Sequence, residues 1–66
     1  IAEHLKNYIE RLQGIIDSIQ KHKKETLQFV PEGTKTMVQI IFSHHEHHYR
    51  AELDWAEESL RNIRGE

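Results

Sequence analysis

Val30-Pro31-Glu32-Gly33-Thr34 is the one cluster of helix-breaking residues in the chain. Pro31 has no amide hydrogen and drives Val30 towards an extended backbone, so a helix arriving from the N-terminal side stops near Leu27–Phe29. Gly33 permits a turn, and Thr34 fits the N-cap of a following helix. On both sides of the cluster the apolar residues recur with helical period. The chain therefore reads as helix, turn, helix, with expected spans of about 1–29, 30–34 and 34–64 in a single domain. The expected fold class is all-α, a two-helix antiparallel hairpin.

Towards the N-terminus, Ile1, Leu5, Tyr8, Leu12, Ile15 and Ile19 alternate at steps of four and three. That spacing makes a heptad seam. Its next positions are His22, Thr26 and Phe29, so the seam turns polar before the loop, while Ile9 and Ile16 widen it on one side. Gly14 is the one discordant residue. It reads either as a tolerated surface glycine or as a place where another helix comes close.

Towards the C-terminus, Val38, Phe42, Tyr49, Leu53, Ala56, Leu60 and Ile63 form one stripe. Met37, Ile41, His44, His48 and Trp55 form a second line beside it, and Ile40 adds to the apolar surface. A hairpin needs only one stripe on each helix, so the second line calls for another partner. Gly65, with Arg61 and Arg64 in the turn before it, is a helix stop.

Composition narrows the function. Sixty-six residues, 36% of them hydrophobic, make a thin core. Chains this short are usually held by disulfides, a metal or a partner. With no Cys, disulfides, thiolate catalysis and Cys-based zinc sites are excluded, which leaves oligomerisation ahead of a metal bound by the six His. A net charge of −2 argues against a general nucleic-acid surface, and Lys21-His22-Lys23-Lys24 is the only basic run. The longest apolar run, Met37–Phe42, is far short of a membrane span, no signal peptide is legible, and the missing Cys fits a cytoplasmic setting. The first residues already read as helix interior, so a fragment of a longer protein is expected.

His44-His45-Glu46-His47-His48 is the most conspicuous chemistry. On a helix His44 and His48 lie one turn apart and can share a metal ion. The zinc-protease pattern H-E-x-x-H fails, because His45-Glu46 would need His where Tyr49 stands. Three readings stay open: interface filler, a cluster that titrates and loosens packing in acid, or a transition-metal site at His44 and His48. Ser18, Ser43 and Ser59 lack a nucleophile setting, and Gly14, Gly33 and Gly65 form no phosphate loop. A non-enzyme without cofactor is expected.

Tyr49-Arg50-Ala51-Glu52-Leu53-Asp54-Trp55-Ala56-Glu57-Glu58-Ser59-Leu60 resembles the last helix of PadR-family transcriptional regulators, in their virulence-activator alpha C-terminal-like domain. The heptad helix before it and the Pro/Gly link are similar to the rest of that domain. The resemblance implies a winged-helix DNA-binding domain upstream, absent here, and dimerisation through long intertwined helices. Many relatives carry a small residue about ten positions before the Trp; here His45 stands there. That departure leaves room for a sensing role.

Together these readings describe the dimerisation region of a PadR-like regulator, with room for an effector-sensing role. It would be a homodimer in a four-helix arrangement, meeting DNA only through the missing domain, meeting no membrane, and answering to an effector that the residues do not name. The expected interface residues are Leu5, Tyr8, Leu12, Ile15, Ile19, Met37, Ile41, Tyr49 and Trp55. Trp55 is read as an interface anchor, or else as packing within its own hairpin. The alternatives are a His-rich metal-binding or pH-responsive helical module and a coiled-coil fragment of an unrelated protein.

Overall fold

The computed structural model describes residues 1–65. It contains helix α1 (Ala2–Leu27), a short 3-10 turn (Glu32–Thr34) and helix α2 (Lys35–Arg64). The described residues include no strand. The two helices fold back on one another as an antiparallel hairpin. Tyr8 near the start of α1 meets Glu52 far along α2, and Lys23 near the end of α1 meets Glu46 nearer the turn. The result is a single layer measuring 50 × 15 × 13 Å.

The chain ends α1 as the breaker cluster dictates. The amides of Gln28 and Phe29 donate to Glu25 and Thr26, tightening the last turn, before Pro31 adopts φ −59° and ψ 150°. The Thr34 amide then donates to the Pro31 carbonyl at 2.9 Å, and Glu32 pairs with Lys35 at 2.9 Å. Thr34 occupies the N-cap of α2, but its hydroxyl makes no capping bond. Its backbone is already helical, at φ −100° and ψ −14°, because the 3-10 turn leads straight into the helix. At the other end Gly65 is left-handed, with φ 77°, and its amide reaches the Arg61 and Asn62 carbonyls. A side chain at that φ would be strained, which is why glycine stops the helix there.

Among the described residues only three apolar side chains are buried: Leu12, Ile16 and Ala56. The packed line of α1 runs through Leu5, Ile9, Leu12, Ile16, Ile19, Lys23 and Thr26, none of which is exposed. It therefore leaves the expected seam by one residue, taking Ile16 rather than Ile15 as its buried member. His22 and Phe29 are exposed, and so is Ile1 at the chain start. The physical reason is the width of the stripe. Ile9 and Ile16 extend it to one side, and α2 packs on that side. On α2, Val38, Phe42, Tyr49, Leu53, Ala56 and Leu60 face α1, whereas Ile63 is exposed. The gap between Phe42 and Tyr49 is filled by Glu46. Its carboxylate takes the Lys23 ammonium at 3.4 Å, so the seam is polar at one level in both helices.

Candidate association surface and inter-helix groove

The second apolar line of α2 is not covered by the hairpin. Met37 and Ile40 are each 64% exposed, Trp55 is 54% exposed and Ile41 is close to that. Because α1 contacts the Val38–Leu60 stripe, this neighbouring stripe stays in water. The hairpin leaves about half of the Trp55 surface uncovered. Of the other residues expected at an interface, Leu12 is fully committed to the seam, while Leu5, Tyr8, Ile15, Ile19 and Tyr49 are half-buried along it.

A groove of about 760 Å³ runs between the helices. Ile15, Ile19, Phe42 and Tyr49, all half-buried, make its floor, and Arg11, Gly14, Ser18, His22 and His45 stand exposed around it. The His22 ring lies tilted against Phe42 with centroids 5.6 Å apart, which ties the α1 wall to the α2 wall. A methyl group built on Gly14 would meet nothing within 4 Å. No helix of this chain comes close there, and Gly14 simply leaves its side of the groove open.

Beyond the Arg11 and Tyr49 end of the groove, one helical turn further along each helix, the Tyr8 hydroxyl donates to the Glu52 carboxylate at 2.7 Å. That bond raises the phenol pKa above its ordinary value of 10.0. Partial desolvation and the carboxylate's negative charge act in the same direction, and Arg11 works against them. In the apolar pattern Tyr8 reads as a seam residue, and nothing there signals its bond to Glu52.

The His cluster is spread around α2. The His47 ring donates through Nδ1 to the Ser43 carbonyl at 2.7 Å, so this ring is held along its own helix. His44 lies edge-on to His45 and His48 edge-on to Tyr49, with centroids 5.9 and 5.1 Å apart. Both His44 and His48 are exposed. Among the described residues no group of three or more His, Asp or Glu side chains is placed to hold a metal ion. The His44 and His48 pair offers two ligands at most.

No helix among the described residues is long and apolar enough to cross a membrane. Comparisons with protein-family models, with curated proteins and with solved structures find no match for the chain.

Proposed function

We propose that this hairpin is a self-association module, two copies pairing through the outer stripe of α2 into a four-helix arrangement. In this reading it is the dimerisation region of a PadR-like transcription regulator, with DNA contacts made by a separate winged-helix domain. The observation that carries the association is the row Met37, Ile41 and Trp55, standing in water beside a core of only three buried residues. A two-fold axis lets such a row meet itself, which is the simplest way to cover it. The regulator half of the reading draws on the Tyr49–Leu60 resemblance.

Sedimentation equilibrium tests the association. About half of the Trp55 surface is free, on the order of 100 Å² for a residue this size, and covering it is worth about 2–3 kcal/mol per copy. Trp55→Ala should therefore weaken the dimer by more than about a hundredfold. The helicity of the monomer should survive, because Trp55 adds little to the hairpin seam. A native chain that stays monomeric at millimolar concentration, or a Trp55→Ala dimer as tight as the native one, refutes the reading. For the regulator half, the coding sequence upstream of Ile1 should contain a winged-helix domain.

The second reading, a metal-responsive or pH-responsive module, is favoured by the position of His44 and His48, which interrupt the same stripe between Ile41 and Trp55. A dimerisation constant that changes strongly on adding zinc, and reverts with a chelator, would favour it over simple association.

A further inference from the structure

We propose that the inter-helix groove is a binding site for a linear amphiphile with an anionic head, an aliphatic chain ending in a carboxylate. The site lies within one hairpin and does not depend on a second copy. Its floor is apolar and its rim is one-sided in charge. Eleven acidic residues give the chain a net charge of −2, yet none of the nine residues lining the groove is Asp or Glu. The rim instead holds Arg11, whose guanidinium is permanently cationic, with His22 and His45 as ring N–H donors and Ser18 and the Tyr49 hydroxyl nearby. Among the described residues Arg11 has no carboxylate within ion-pair distance, so its fork of donors is available.

The shape selects the tail. The groove is open to solvent, and its apolar floor spans Ile15 to Ile19 on α1, about one turn, and Phe42 to Tyr49 on α2, about two turns. The longer of these, on α2, is on the order of 10 Å, matching an extended chain of roughly eight to ten carbons. A helix docking lengthwise would need a longer apolar seat. Beyond Arg11 the Tyr8–Glu52 bond links the helices and sets a carboxylate there, so the head group belongs on the groove side of Arg11, away from Glu52, with the tail along Ile15, Ile19 and Phe42. The lining also has the chemistry of small-molecule sites, mostly apolar with a few polar groups.

The test is a titration of the isotope-labelled chain with decanoate, decanol and decyltrimethylammonium below their micelle concentrations, followed by amide and methyl NMR. Decanoate should shift Ile15, Ile19 and Phe42 and bind about tenfold more tightly than the cationic amphiphile, as a charge-assisted hydrogen bond at a part-exposed site provides. Arg11→Gln should remove that preference while leaving the apolar contribution, and Ser18→Phe, at an exposed position, should block all three. Circular dichroism on both variants checks that the hairpin is intact. Equal binding of the three amphiphiles overturns the proposal, as does an unchanged preference in Arg11→Gln. Shifts confined to Met37 and Trp55 overturn it too. So do groove signals that move with protein concentration alone, which would give the groove to a second copy.

Discussion

Replacing the Lys23–Glu46 rung by a pair of leucines should make the hairpin more stable. The two side chains are 33% and 19% exposed, so most of their surface is already covered, but by a seam that is otherwise apolar. Part-exposed ion pairs contribute at most about 1 kcal/mol. A leucine gains about 1.5–3 kcal/mol when fully buried, so at this coverage each should gain about 1–2 kcal/mol. With the lost pair subtracted, Lys23→Leu with Glu46→Leu is expected to add about 1–3 kcal/mol. For a domain of this size that is a rise in melting temperature on the order of 5–20 °C. The single variants should behave otherwise. Lys23→Leu leaves the Glu46 carboxylate part-buried without its cation, and Glu46→Leu strands the ammonium in the same way, so each should be neutral or destabilising by about 1 kcal/mol. Thermal melts of the four proteins, monitored by circular dichroism at one concentration, form a double-mutant cycle. If the double variant melts at or below the native chain, or the single effects simply add, the rung is not a polar interruption of an apolar seam and the reasoning fails.

Two further outcomes follow from single contacts. Gly14→Ala should raise stability by about 0.5–1 kcal/mol in urea unfolding, since the added methyl meets nothing and a helix interior favours Ala; a loss would mean that a second chain comes close at Gly14. Tyr8 is an acid whose pKa is raised in the fold, so the stability its bond contributes is present below the ordinary phenol value of 10.0 and is lost as pH rises through the raised one. Native and Tyr8→Phe chains compared by urea unfolding on either side of that value should diverge below it and converge above it.

The helices and their turn were legible because local signals agree with one another. Pro31 ends α1, Gly65 ends α2, and the apolar residues between them keep a helical period. The exposed line Met37, Ile41 and Trp55 was legible for the same reason: one helix carried more apolar stripe than one partner could use. What remained hidden depends on how two surfaces meet. On α1 either Ile15 or Ile16 continues a seam from Leu12, and only the packing of α2 decides for Ile16. The gap between Phe42 and Tyr49 shows in the spacing, but its closure by Lys23 requires the relative shift of the helices. The groove is likewise a property of two helices at once, since its walls come from residues twenty or more positions apart in sequence. Local competition explains the rest. Thr34 sits at a cap position without capping because a 3-10 turn precedes it, and His47 turns back to Ser43 rather than outward.

The short connection between the helices does more than reverse the chain. Three buried side chains are too few for two separate peptides to find and hold one another at micromolar concentration. Covalent tethering through a tight turn replaces that encounter with a local concentration on the order of millimolar. Residues 28–34 are nearly all exposed, and Phe29 stands out into water beside the bend. A single backbone cut there would leave the three buried side chains in place, yet it would turn pairing of the helices into a bimolecular event and let them drift apart on dilution. The hairpin's integrity is thus vested in an unbroken strand of backbone as much as in its interior.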